Sequence, residues 1–348
     1  MPWYAFLLSP FALIFGWLTE LRNFLFDKGI LKSNSSPIAT LVVGNLSIGG
    51  TGKTPHVEWF LTKLRRDLVL ASLSRGYGRK TKGFLKATDQ SSPHDIGDEP
   101  LQIYRKFNSG IPVFVGEKRV PALQLIAQSE PNLDLVVLDD AFQHRSLKGD
   151  FYILLTPFQL PFFEDYLLPM GRLREHRHGA IRSDVVVVTK CPEYLTEAEK
   201  STYRNSIRNY AGDKPVFFSY LTYGQPYLVS KSTVDFNPAV VLVSALADDR
   251  LFVEYAHRNF EVLEAIHFSD HHTYSRSDAE IIRQLAEKYP APMPVILTTE
   301  KDSQKLKSLS DQGILGEIAI FALPISVTFE PNEEESLLCI IREKFKTK

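Results

Sequence analysis

The sequence predicts an α/β fold: a parallel-sheet domain covered by helices, then a second, smaller α/β domain, with a separate helical segment at the N-terminus. Three observations predict it. Short β-branched runs alternate with stretches of helical spacing, the pattern of strands joined by crossover helices. The apolar run Thr40-Leu41-Val42-Val43 leads into Ser47-Ile48-Gly49-Gly50-Thr51-Gly52-Lys53-Thr54, a glycine-rich turn that opens a helix. Met1–Thr19 carry no charge, whereas the rest of the chain has ordinary soluble composition.

A length of 348 residues suggests about two domains. We divide the chain at 1–33, 34–222 and 223–348, with the final helix free to pack on either domain. The net charge of −1 gives no global attraction to nucleic acid, so any pull on an anionic surface must come from local patches. Cys191 and Cys339 are far apart and make neither metal-ligand nor CxxC spacing; they read as reduced thiols. Nothing calls for an obligate protein partner.

In the first segment, Trp3, Tyr4, Phe6, Leu7, Leu8, Phe11, Leu13, Ile14, Phe15, Trp17 and Leu18 crowd together. Basic residues before the stretch and a small-residue cleavage site are missing, which excludes a secretory signal. A spanning helix needs ~20 apolar residues; this run is slightly short, and Pro10 interrupts it. From Phe11 the spacing is helical, with Ile14, Leu18, Leu21 and Leu25 on one face. Two readings stay open: a helix lying in a bilayer surface, and a helix docked on the protein's own core.

Strands are expected at 39–44, 68–73, 112–115, 134–139, 151–155 and 184–189, with helices near 54–66, 99–108 and 118–129. The loops at the carboxyl ends of such parallel strands form the site. A second set follows: strands at 239–244, 261–267, 294–299 and 317–322, and helices near 248–258, 277–288 and 301–309. The stretch 213–238, rich in Pro, Gly and Tyr, reads as a connector, and 332–346 as an amphipathic helix.

The glycine-rich turn predicts phosphoryl chemistry. Its backbone N–H groups, from Gly49, Gly50, Thr51 and Gly52, can close around phosphate oxygens. Lys53 would offset the β/γ charge of a nucleotide triphosphate, and the Thr54 hydroxyl would bind Mg²⁺. The first domain is therefore a P-loop nucleotide-binding domain, with Ser47 replacing the motif's first glycine. Leu135-Val136-Val137-Leu138-Asp139-Asp140 is a buried strand ending in two carboxylates, where such folds hold Mg²⁺. Gln143 and His144 follow; His144 contacts substrate or caps the turn. Gly97-Asp98-Glu99-Pro100 opens a helix, with Asp98 either its N-cap or a general base. Asp270-His271-His272 in the second domain suits proton transfer near neutral pH or a hydrogen-bonded turn. Two basic clusters, around Arg75 and around Arg172 and Arg174, suit phosphates or a solvated surface.

Together these segments resemble the tetraacyldisaccharide 4′-kinases of lipid A biosynthesis. The resemblance rests on residues 43–55, Ser74-Arg75-Gly76-Tyr77-Gly78, Gly97-Asp98-Glu99-Pro100, Asp139-Asp140-Ala141-Phe142-Gln143-His144-Arg145, Gly171-Arg172-Leu173-Arg174-Glu175, Asp270-His271-His272 and Thr299-Glu300-Lys301-Asp302. They occur in family order over nearly the whole chain. One departure is Ala141, where the family usually has Gly. The resemblance implies transfer of the γ-phosphate of ATP, with Mg²⁺, to the 4′-hydroxyl of a tetraacyldisaccharide 1-phosphate, giving lipid IVA. It also implies work at the cytoplasmic face of the inner membrane, anchored by the N-terminal helix, with two α/β/α domains around a cleft. It assigns Asp98 and His271 as an acid–histidine pair and Lys53 and Asp140 to the catalytic site. Thr54, Asp139 and Glu175 fall to the metal, and Arg75, Glu99, Gln143, His144, Arg172 and Arg174 to the substrate. The alternative is a membrane-associated P-loop ATPase switch of the partition kind, but Ile48 stands where that group carries its signature lysine. A GTPase is disfavoured because Thr189-Lys190-Cys191-Pro192 lacks the final Asp that reads guanine.

Overall fold

The computed structural model describes residues 7–108, 110–270, 272–290 and 292–346. Trp3, Tyr4, Phe6 and His271 lie outside the described residues. One sheet has nine strands, in the order Ile325–Phe329, Val216–Tyr223, Val185–Thr189, Phe151–Pro157, Ala39–Asn45, Leu135–Asp139, Leu70–Ser74, Val113–Val115 and Leu85–Lys86. Its two edge strands pair antiparallel, and the strands between them run parallel. The central strands are apolar on both faces, as parallel strands covered by helices must be. A second sheet orders Tyr227–Leu228, Ile320–Leu323, Val295–Thr299, Ala239–Ser244 and Glu261–His267.

Strand Ala39–Asn45 is where the first sheet changes direction. The chain leaves it to build Leu70–Ser74 and Leu135–Asp139 on one side, then returns to build Phe151–Pro157 and Val185–Thr189 on the other. Ligands in such sheets bind outside the carboxyl ends at this point. Register does the rest: Val43 lies opposite Asp139, so the glycine turn and the paired acids emerge side by side.

Two expectations change. The connector 213–238 contains strand Val216–Tyr223, whose aromatic residues suit a pleated surface and whose partner is Ile325–Phe329. That last strand and helix Pro331–Lys346 return to the first body, where Val327, Phe329, Leu337, Ile341 and Phe345 join the core of Val57, Phe60 and Leu64. The second sheet thus holds the strands from Tyr227 to Leu323, while the final helix takes the first of the two placements left open for it, on the first domain. Helix Glu197–Ala211 had no counterpart among the expected elements. Its signal was present: Thr196 and Glu199 form a reciprocal capping box, a helix-start signature.

Helix Ser9–Asp27 docks through a seam of small residues. Ala12 and Gly16 are buried, and a Cβ on Gly16 would stand 2.7 Å from Leu167 and 2.9 Å from His176. Asn23 donates to Glu175 (2.9 Å), Arg22 to the Gln143 carbonyl (3.2 Å), and Asp27 pairs with Arg145 (2.6 Å). The bulky residues Phe11, Leu13, Ile14, Trp17, Leu18 and Phe24 are all at least half exposed. Among the described residues no helix is long and apolar enough to cross a membrane.

Candidate active site

The turn between Ala39–Asn45 and helix Lys53–Leu64 is shaped from within. Gly52, before the first helical residue, has φ 82°, a left-handed conformation that strains any side chain. Asn45, buried at the strand end, donates to the Ser47 carbonyl (2.7 Å) and the Thr51 hydroxyl (2.9 Å), and its Oδ1 accepts from Lys53 Nζ (3.4 Å). Ser47 bridges antiparallel to Leu173, an extended geometry that needs no glycine. The Ile48 N–H donates to the Arg172 carbonyl (2.8 Å) and the Arg174 N–H to the Leu46 carbonyl (2.7 Å). Thr189 Oγ1 donates to the Thr51 carbonyl at 2.9 Å. His56 Nδ1 meets the Gly52 carbonyl at 2.7 Å and Nε2 the Ser219 hydroxyl at 2.9 Å. Complete burial pushes its pKa down to about 4, which the Gly52 bond only partly offsets. With its walls tied, the loop stays open: a Cβ on Gly49 would meet nothing within 4 Å, and one on Gly50 only Lys190 Nζ at 3.8 Å.

Asp139 and Asp140 titrate in opposite directions. Burial pushes Asp139 up to about 7, helped by Glu99 and Asp140 and opposed by Lys53 and Arg119. Its Oδ1 is buried without a hydrogen-bond partner. Burial also works against the Asp140 charge, but Lys53 at 3.6 Å and Arg174, 3.0 Å from both carboxylate oxygens, hold it below the usual range. Asp140 itself takes φ 49°. The left-handed residue of this turn is thus Asp, which tolerates it, and Ala141 beside it bears no such strain.

Asp98 is the first residue of helix Asp98–Lys106; Gly97 occupies the cap, and the terminus has no side-chain cap bond. The carboxylate instead faces the second unit, 2.7 Å from Lys305 Nζ. Lys305 also donates to the His272 carbonyl at 2.9 Å. One turn earlier, Lys301 lies 3.7 Å from Glu99 and 3.2 Å from Asp270. Acids at one helix's N-terminus therefore meet lysines of helix Glu300–Asp311 across the gap between sheets. His272 is held elsewhere: Nε2 is 2.9 Å from Asp278 Oδ2, and the ring stacks on Phe268 at 4.6 Å.

The remaining expected residues divide. Arg75 is exposed and contributes, with Arg119, to the positive field around His144. Burial first, then Arg119, Arg75 and Arg22, push His144 down to about 4. Gln143 donates to the Asn45 carbonyl (2.7 Å) and to Glu175 (3.0 Å), leaving its Oε1 unpartnered. Glu175, expected at the metal, is buried beside Gln143. Its buried oxygens accept from Asn23, Gln143 and Arg182, so it ties the N-terminal helix to the site. Arg172, expected at the substrate, is held by Asp165 (3.0 Å) and the Leu160 carbonyl (3.3 Å).

Four residues escaped the sequence reading as members of the site: Asn45, Arg119, Lys190 and Lys305. Arg119 is buried under Asp139, whose carbonyl it binds at 3.2 Å, and its Nε has no partner. Its signal was a cation in the first turn of helix Arg119–Ser129, where the helix dipole disfavours one. The other three have no local signature.

The family profile described as tetraacyldisaccharide-1-P 4′-kinase matches residues 4–344. A tetraacyldisaccharide 4′-kinase of Flavobacterium johnsoniae is 38% identical over 348 residues, covering 98% of both chains. One of Cytophaga hutchinsonii is 42% identical over 306 residues, covering 87% of this chain and 86% of the other. The crystal structure of the "apo" form of LpxK from Aquifex aeolicus in complex with ATP superposes with a TM-score of 0.74 at 30% identity, covering 98% of this chain and 99% of that one.

Proposed function

The chain belongs to the tetraacyldisaccharide 4′-kinase family, and from that premise we propose how its own residues carry the reaction. It is an ATP-dependent kinase that phosphorylates the 4′-hydroxyl of a lipid A precursor. One observation supports this division of labour best: an open glycine turn with Lys53, Asp139 and Asp140 beside it, and Asp98 and Glu99 fixed by lysines of the opposite unit. The turn serves as the phosphate-binding loop. Its N–H groups and Lys53 offset the charge that grows on the bridging and terminal oxygens as the γ-phosphoryl leaves. Arg174 fixes Asp140 against Lys53, so the ammonium is already in place.

A divalent cation fits the residues present. Asp139 offers a buried oxygen without a partner, next to Lys53 and the helix start that carries Thr54. Among the described residues no group of three or more His, Cys, Asp or Glu could hold a metal alone. That matches Mg²⁺, which takes one or two protein ligands and completes its shell from phosphate and water. Bound there, Mg²⁺ would supply charge neutralisation to the phosphates.

Asp98 takes the proton of the sugar hydroxyl while that oxygen accepts the phosphoryl group and the bond to ADP breaks. Because Lys305 and Lys301 reach Asp98 and Glu99 from the other unit, relative movement of the two units would complete or dismantle this arrangement, limiting hydrolysis by water. Arg75, exposed beside the site, offers a positive charge to an anionic substrate, with Arg119 buried behind Asp139 adding to the field.

The N-terminal helix is read as a monotopic anchor at the cytoplasmic face of the inner membrane. Its small-residue seam faces the protein and its bulky apolar residues face outward, the reverse of a helix docked for core stability. Asn23 and Arg22 fasten it to Glu175 and Gln143, so acyl chains could stay in lipid while the sugar enters the cleft. Mass spectrometry of an acylated disaccharide monophosphate after incubation with Mg-ATP tests the function: one added phosphate on the 4′ position is expected. Equal ATP turnover with and without the lipid acceptor would instead favour an ATPase switch.

A further inference from the structure

Lys190 ends strand Val185–Thr189 in a left-handed conformation, φ 57°, with a side chain only 14% exposed. Its neighbour Thr189 is bonded to the loop through the Thr51 carbonyl, so Lys190 is held rigidly beside the turn. Nζ stands 3.8 Å from where a Cβ on Gly50 would lie. Its acidic neighbour is Asp248 of the second unit, at 3.7 Å. That carboxylate is already engaged by Arg250, at 2.8 Å and 3.2 Å. A nearly buried ammonium over the Gly50 face of the phosphate loop therefore has half a counter-ion. Burial accordingly lowers its pKa despite Asp248.

Sheet order says which end of a nucleotide it meets. Asp139 and Asp140 flank the loop strand on one side, and Lys53 leans toward them. Lys190 comes from the other side, two strands away, over Gly50 rather than over the helix start. We propose that Lys190 is a second nucleotide-binding cation, taking the oxygens of the non-transferred part of the nucleotide, and that the nucleotide displaces it from Asp248. Lys53 serves the end that reacts; Lys190 serves the end that stays. Because Asp248 belongs to the second unit, filling the loop releases one link between the units. This rests on the loop being the ATP site.

The test is binding of AMP-PNP and of ADP, each with Mg²⁺, to the full chain, alongside steady-state kinetics with lipid. Lys190→Met keeps the methylenes and removes the charge. It should weaken both nucleotides equally, by about ten- to a hundredfold, the range for a charge-assisted bond. KM for ATP should rise while the lipid KM and kcat change little. Lys190→Arg should restore binding to within a few-fold, and Asp248→Asn should tighten it. Lys53→Ala is the control for the site itself. If Lys53→Ala loses nucleotide while Lys190→Met binds normally, the loop is the ATP site and the role of Lys190 is wrong. If Asp248→Asn weakens binding as much as Lys190→Met, the pair is structural and the displacement is refuted. If neither Lys53→Ala nor Lys190→Met changes binding, the reading of the loop falls instead.

Discussion

Asp139→Asn should make the empty protein more stable while destroying its activity. The carboxyl is 3% exposed, one oxygen has no partner, and its pKa rises from 3.8 to about 7. That displacement is equivalent to about 4 kcal/mol against the charged form. Relaxation and water entry around the loop reduce it by about half, leaving about 2 kcal/mol. The sign follows from proton counts: between these two pKa values the native state binds more protons than the unfolded one, so stability falls as pH rises. The penalty is absent below pH 3.8 and complete above about pH 7. Asparagine carries no charge, so its advantage should be nil near pH 4 and full at pH 8. With m of about 3 kcal/mol/M, the urea midpoint at pH 8 should rise by about 0.7 M. Urea titrations followed by tryptophan fluorescence at pH 4.5, 6 and 8, without nucleotide or Mg²⁺, measure it. A variant equally stable at every pH, or less stable at pH 8, would refute a buried carboxylate kept for the cation. Wild type should release a proton from Asp139 when Mg-ATP binds below pH 7, readable by calorimetry in buffers of different ionisation enthalpy.

Lys53→Ala should lower kcat by about a hundred- to a thousandfold, the scale of one lost electrostatic contact in the transition state, without a matching loss of stability; near-normal turnover would remove Lys53 from the site. Lys305→Met removes the 2.7 Å ion pair that Lys305 makes with Asp98 across the gap, so kcat should fall while ATP binding persists, and Lys305→Arg should recover part of the rate. Replacing Leu13, Trp17 and Phe24 together by Ser removes about 1–2 kcal/mol of apolar contact each without touching Asn23 or Arg22. Flotation with anionic vesicles should drop at least tenfold while soluble ATP binding holds, and full flotation would end the anchor reading. His56 has a pKa of about 4 against 6.5 unfolded, so its stabilisation is complete above pH 6.5 and lost progressively below it; His56→Gln should flatten that acid-side slope.

What the sequence determined by itself was whatever depends on neighbours along the chain. The glycine turn, its lysine, the paired acids and most strands are written in runs of five to eight residues, because each needs only local spacing and backbone freedom. The apolar N-terminal run was equally plain. Tertiary structure decided which of two compatible partners each polar group took. Asp98 could cap its own helix or face another unit, and Lys305, some two hundred positions later, settles it. Glu175 accepts from three donors on three separate segments, a convergence no single segment reveals. Strand Ile325–Phe329 returns to the first sheet because a free edge at Val216–Tyr223 leaves backbone groups unpaired, a demand no local window records. Lys190 could not be placed from its neighbours, since its position over Gly50 follows from strand order alone. Local propensity selects elements, whereas counter-ions and edge partners are chosen by folding, which brings distant residues close enough for desolvation to make each choice costly to leave unmet.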